Sequence, residues 1–235
     1  VTGASAPAPR PDAPPASGGA RTTGLADTAA PRPVIASEVV HDGMIWDVVR
    51  DTVDLGEAGV VRREYVRHPG AVSVIALDDD DRVLLLRQYR HPAGAELWEP
   101  PAGLLDVPGE PLQGAAAREL AEEADLVAGA WWVLADYLST PGGSDEALRV
   151  FLARDLTQVP VADRHVRDGE ERDIVVRWVP LEEAVEAVLA GRLRNPSTVV
   201  GVLAAAACKA RGWRGLRSVD APGDRVAGPG DGGGA

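Results

Sequence analysis

An α+β domain, with a mixed β-sheet flanked by helices and an antiparallel strand region at its N-terminal side, is what this sequence predicts. Three observations carry that expectation. Strand-like segments outnumber helical ones. The strands come first and the helices late, an order that fits one sheet with helices packed on it. The hydrophobic fraction, 45% of 235 residues, is enough for one good-sized core plus tails.

The elements follow in order. Residues 1–32 are rich in Pro, Ala, Gly, Ser and Thr and nearly free of large apolar side chains, so they predict a disordered leader. The initial Val1 suggests a GTG start read literally or a start set too far upstream. Segments 34–41, 45–55 and 60–68 are β-branched and partly alternating, and 54–59 reads as a hairpin turn between the last two. Segment 71–77 is nearly continuously apolar, as in a central strand, and the acidic turn 78–81 leads into a strand over 82–89. Segment 96–102 reads as short and extended, because residues before proline favour β conformations. A helix starts at Glu110 or Pro111 and ends near Asp125. Strands over 131–139 and 148–154, a long polar loop over 155–173 and a strand over 174–179 come next. Helices over 181–190 and 195–209 complete the domain, taken as 33–215, before a Gly- and Pro-rich tail over 216–235 that predicts disorder.

Bulk properties exclude several functions. With 36 acidic against 24 basic residues the net charge is −12, which argues against general affinity for nucleic acid or acidic membranes. A small nucleotide is not excluded, since a metal ion can bridge it to carboxylates. The single Cys208 rules out an internal disulfide framework and a multi-cysteine zinc site. No signal-peptide pattern is seen, and the apolar run ending at Cys208 is too short to span a bilayer, so a cytoplasmic protein is expected.

The chemistry concentrates in Gly103–Leu126. Glu119, Glu122 and Glu123 fall three and four residues apart and so crowd one side of a helix. Like charges at that spacing destabilise a helix by roughly a few tenths of a kcal/mol per pair. Spacing alone fits a solvated face; hard divalent cations are the functional alternative, since they prefer carboxylate oxygens. The wider pattern favours the second reading. Gly103, Glu110, then Arg118-Glu119-Leu120-Ala121-Glu122-Glu123-Ala124-Asp125-Leu126 resembles the Nudix box, G-x5-E-x7-R-E-U-x-E-E-x-G-U, where U is aliphatic. It departs twice: the first spacer holds six residues, and Asp125 replaces the second glycine. Aspartate tolerates the left-handed conformation that a helix-ending glycine adopts, so intact chemistry is expected.

Segments outside the box narrow the resemblance to the ADP-ribose pyrophosphatase branch of that family. They are Gln88-Tyr89-Arg90, Trp98-Glu99-Pro100-Pro101-Ala102-Gly103, the Pro-Gly loop from Ser139 to Glu146, and the acidic loop Glu170-Glu171-Arg172-Asp173. The similarity spans roughly 34–209. It implies the Nudix fold, an α/β/α sandwich, and a homodimer with Trp46 near the interface or substrate. Mg²⁺, with Mn²⁺ as the alternative, would be held by Glu119, Glu123 and the carbonyl of Ala102, with Glu122 a ligand or a neighbour of one. Glu110 and Arg118 would tie the loop to the helix. Arg90, Trp46, Gly142 and Ser144 would meet the substrate, and Glu170 or Glu171, with Glu170 favoured, would act on the attacking water. The implied reaction is Mg²⁺-dependent hydrolysis of ADP-ribose to AMP and ribose 5-phosphate. The rivals are hydrolysis of another nucleoside diphosphate compound, such as a nucleotide sugar, and nucleotide binding without turnover.

Overall fold

The computed structural model describes residues 24–167, 172 and 174–222. Most of the predicted leader, the end of the tail, and Glu170 and Glu171 therefore lie outside the described residues. The described part of the leader, 24–32, is exposed and carries neither helix nor strand. Ten strands and three α-helices are described: β1 (Val34–His41), β2 (Asp47–Asp54), β3 (Val60–Arg67), β4 (Ala71–Ala76), β5 (Arg82–Arg90), β6 (Ala95–Glu99), β7 (Ala102–Leu104), α1 (Leu112–Ala124), β8 (Leu126–Leu138), β9 (Ala147–Gln158), β10 (Val175–Pro180), α2 (Leu181–Leu189) and α3 (Pro196–Ala210). The α+β class holds, with the strands distributed over three sheets, ordered β1-β2-β3, β10-β5-β6 and β7-β4-β9-β8.

The chain divides into two compact units. The larger comprises Ala71–Asp136 and Arg149–Ala221. Its central strand β4 is buried at all six residues, which is why it reads as a nearly continuous apolar run broken only by Ser73. Side chains alternate across it. Val72, Val74 and Ala76 join Ala115, Ala116 and Leu120 of α1 in one core, together with Leu84, Leu86, Val133 and Phe151. On the opposite face Ile75 meets α3, where Gly201 permits the approach: a Cβ there would stand 2.6 Å from Ile75 Cδ1. The sheet β7-β4-β9-β8 is thus covered by a helix on each side of β4, as the sandwich expectation required. The smaller unit contains the antiparallel sheet β1-β2-β3 and Tyr137–Leu148.

Several boundaries differ from expectation. The helix begins one residue late, because Pro111 takes an extended conformation (φ −62°, ψ 145°) and stands before α1 rather than in it. β8 begins at Leu126, directly after α1, although Leu126–Ala130 was expected as a connection. The supposed loop from Asp155 is strand as far as Gln158, with Asp155 itself left-handed at φ 55°. At the other end, contacts of the larger unit continue past residue 215: Arg217 bridges Val133 by backbone, and Arg149 Nη1 donates to the carbonyl of Ala221 at 2.8 Å.

Candidate active site

The carboxylate face of α1 is assembled against β7. Pairing of β4 with β7 sets Ala102 opposite Ser73 and Gly103 opposite Val72, which fixes the strand over the helix. The helix buries Ala115, Ala116, Leu120, Glu123 and Ala124, so Glu123 lies on the core-facing stripe and is only 7% exposed. Its Oε2 accepts the backbone N–H of Ala102 at 2.9 Å. Glu119 lies one turn back, over Gly103. A Cβ on Gly103 would stand 1.9 Å from Glu119 Oε1, so the space a side chain would fill is taken by this carboxylate.

Arg118 manages the repulsion. Its Nε and Nη2 donate to the two oxygens of Glu110 at 3.2 and 3.1 Å, and its Nη1 donates to Glu119 at 2.7 Å and to Glu122 at 3.3 Å. The hydrogen bond to Glu110, with the charges of Glu119 and Glu110 adding to it, holds the guanidinium well above its ordinary pKa although burial opposes this. One cation therefore ties the loop before α1 to two carboxylates of the helix, the role the sequence resemblance implied for Glu110 and Arg118.

Whether these groups suit a divalent cation is decided by their donor set. All are hard oxygen donors: Glu119, Glu122, Glu123 and the Ala102 carbonyl beside the N–H that Glu123 already engages. Among the described residues, no three His, Cys, Asp or Glu side chains are gathered closely enough to form a metal cage by themselves.

Arg90, at the end of β5, is held by a residue that sequence reasoning did not single out. Its Nε donates to Glu99 Oε1 at 3.0 Å and its Nη2 to Glu99 Oε2 at 2.7 Å, a fork-on-fork pair. Glu99 is 4% exposed at the end of β6, three residues before Ala102. The β5–β6 register sets Arg90 opposite Ala95 and Glu99 opposite Leu86, so the two side chains meet along the ribbon rather than across a pair, a relation that no local motif announces.

The other predicted substrate contacts belong to the smaller unit. Trp46 is partly exposed and stacks on His68, ring centroids 5.5 Å apart at 29°. Gly142 and Ser144 lie in a turn closed by the N–H groups of Gly143 and Ser144 on the Thr140 carbonyl, both 2.9 Å. The turn is stitched to β3: Val66 donates to the Gly143 carbonyl at 2.9 Å, and the N–H of His68 donates to Asp145 Oδ1 at 2.7 Å. His68, with Nε2 3.5 Å from Glu146 Oε1, is a second residue missed from sequence. Ala102, Glu119, Glu122, Glu123 and Arg90 thus fall in one unit and Trp46, Gly142 and Ser144 in the other, while Glu170 and Glu171 lie outside the described residues.

Comparison with known proteins decides the family. A profile of the NUDIX domain matches residues 67–198. The ADP-ribose pyrophosphatase of Mycobacterium tuberculosis is 46% identical over 170 residues, covering 72% of this chain and 81% of that protein. The ADP-ribose pyrophosphatase of Bacillus subtilis is 32% identical over 168 residues, covering 72% of this chain and 89% of that protein. The chain belongs to the Nudix family. A crystal structure of an ADP compounds hydrolase aligns over 80% of this chain and all of its own at a TM-score of 0.60 and 21% identity, which places the Nudix fold. Within that family the box positions here gain a physical account: the first glycine seats Glu119, the arginine gathers three carboxylates, and the last glutamate is anchored on Ala102. Asp125, where the Nudix box has glycine, ends α1 in the left-handed conformation that glycine would take, at φ 55° and ψ 35°.

Proposed function

We propose that this Nudix hydrolase cleaves the pyrophosphate linkage of ADP-ribose, giving AMP and ribose 5-phosphate, with Mg²⁺ as its metal and Mn²⁺ as a substitute. The observation that carries the reading is the set of oxygen donors gathered where α1 meets β7, with Arg90 held by the buried Glu99 in the same unit. The 46% identity to a protein named ADP-ribose pyrophosphatase supports the substrate.

The roles are those that the resemblance implies. Glu119, Glu123 and the Ala102 carbonyl would hold the ion, and Glu122 would hold it directly or through a neighbour. A Mg²⁺ held by these residues would supply charge neutralisation for the phosphates and acidify a bound water. Arg90, preset by Glu99, would donate charge-assisted hydrogen bonds to the substrate's phosphate or ribose. Glu170, or Glu171 beside it, would accept the proton of the attacking water. Trp46, Gly142 and Ser144 are assigned to substrate contact by their likeness to the branch. Exposed apolar residues of the smaller unit, among them Ile35, Val39, Val40, Met44, Ile45 and Trp46, support a homodimer that covers them. Among the described residues no helix is long and apolar enough to cross a membrane. The lone cysteine fits a reducing compartment, and we assign the enzyme to the cytoplasm.

The test is a panel of ADP-ribose, nucleotide sugars and other nucleoside diphosphate compounds with Mg²⁺, run on wild type, Glu170→Gln and Glu171→Gln. ADP-ribose should be turned over best. Preferential turnover of another compound would keep the family and overturn the substrate; binding of ADP-ribose without hydrolysis would overturn the enzyme.

A further inference from the structure

The sheet β10-β5-β6 carries a cavity on the face turned away from α1. Leu84 and Leu86 of β5 join the core around α1, whereas Leu85 between them lines the cavity. The register sets Arg177 opposite Leu85, Val179 opposite Val83 and Trp98 opposite Arg87, so these side chains share that second face. Leu85, Val179 and Ala184 of α2 form a buried apolar floor, and Trp98 lines the side. The cavity measures about 260 Å³. Pockets for drug-sized ligands run to about 300–1,000 Å³, so the occupant must be small.

Two features of α2 shape this space. Ala184 and Ala187 stand on one helical face, and larger side chains there would fill the cavity. The turn ending the helix folds back on it. Gly191 is left-handed at φ 69°, and the N–H groups of Arg192 and Leu193 donate to the Ala187 carbonyl at 2.9 and 3.3 Å. Arg192 and Leu193 are thereby set beside Ala187 on the cavity's rim.

The rim's charge selects the occupant. Two arginines, Arg177 and Arg192, stand there against one glutamate, Glu183, in a chain of net charge −12. Arg177 Nη2 lies 3.5 Å from Glu183 Oε1, which leaves Arg192 as the surplus cation. The Arg192 side chain has no partner among the described residues. A guanidinium fork matches a carboxylate with two parallel hydrogen bonds. The apolar floor and the indole of Trp98 match a ring, since aromatic faces pack on one another. A cationic ligand would instead meet like charge at the rim.

We propose that this cavity is a second ligand site, separate from the Nudix box, which takes a small monoanionic aromatic carboxylate, its ring on Leu85 and Trp98 and its carboxylate on Arg192. None of the lining residues belongs to the box or to the Arg90–Glu99 pair, so binding here stands or falls independently of the compound that the box cleaves.

The experiment titrates the full chain with indole-3-acetate, with its cationic counterpart tryptamine and with AMP. The indole N–H signals of the six tryptophans are followed by ¹H–¹⁵N NMR, and Trp98→Phe identifies the Trp98 signal. Indole-3-acetate should shift the Trp98 signal with a Kd of about 1 mM or tighter, and tryptamine should bind at least about tenfold more weakly. Arg192→Gln, a change at an exposed position, should weaken indole-3-acetate about tenfold. Ala187→Leu should abolish its binding with the melting temperature within about 3 °C of wild type. No Trp98 shift at about 10 mM indole-3-acetate overturns the site. Equal binding of tryptamine, or unchanged affinity in Arg192→Gln, overturns the carboxylate assignment even if Ala187→Leu fails to fold. A Trp98 shift by AMP that is tighter than that by indole-3-acetate, and is lost in Arg192→Gln, gives the cavity to a nucleotide and likewise overturns the assignment.

Discussion

Glu119 Oε1 occupies the place where a Cβ of Gly103 would be, 1.9 Å from that ideal position. The glycine opening the Nudix box is therefore needed for close approach, since its φ is not in the left-handed region. The nearest obstacle is the far end of a flexible side chain, so Gly103→Ala should displace Glu119 rather than unfold the chain. We expect activity to fall about tenfold or more, with a raised Mg²⁺ requirement, and the melting temperature to stay within about 3 °C. Steady-state kinetics against Mg²⁺, read beside thermal melts, checks the pair of outcomes.

Arg118 is the second test of the same face. Removing it leaves Glu110, Glu119 and Glu122 with their cation gone and their mutual repulsion uncompensated. Arg118→Ala should destabilise by about 1–2 kcal/mol, a few degrees in this size of chain. A divalent cation replaces the missing charge, so Mg²⁺ should raise the melting temperature of the variant more than that of wild type. Melting curves with and without Mg²⁺ give the comparison.

Glu99 holds Arg90 from a buried position. Glu99→Gln keeps the shape and removes the charge, weakening the preset fork. KM for ADP-ribose should rise roughly 3- to 10-fold with kcat little changed, the pattern of lost substrate binding. An effect confined to kcat would place Arg90 on the reacting phosphate's transition state instead.

A structural ion cluster lies apart from the box. Burial works against ionisation of Asp136, but hydrogen bonds from Arg149 and Arg217 prevail and hold its carboxyl below the ordinary value of 3.8. A depressed folded-state pKa means that the ionised group stabilises the fold above 3.8 and that the contribution is lost as pH falls through the lower, folded value. Asp136→Asn should therefore melt below wild type at pH 7, with the gap closing as pH drops beneath 3.8. Differential scanning calorimetry at matched pH follows the gap.

How much of this was legible in sequence depends on the range of the signal. β1, β3, β4 and β5 were placed within about one residue, because each carries its own β-branched or apolar run bounded by turn residues. The start of β8 was missed because Leu126–Ala130 contains Gly129 and small side chains, which carry little strand propensity. The end of β9 was missed because Asp155, at φ 55°, reads as a turn residue. The box was legible because its residues lie on one helix and one short loop. The partners Glu99 and Arg167 were not, since Arg90 meets Glu99 along the β5–β6 ribbon and Asp125 meets Arg167 across 42 residues of chain.

The central claim is metal-dependent cleavage of ADP-ribose by the α1 carboxylates, and one measurement addresses it most directly: AMP release from ADP-ribose and Mg²⁺ by wild type and Glu123→Gln, with circular dichroism to show that both are folded. Wild type should release AMP, and the variant should lose about 100-fold or more of that activity. No AMP from wild type, or equal AMP from folded Glu123→Gln, would contradict it.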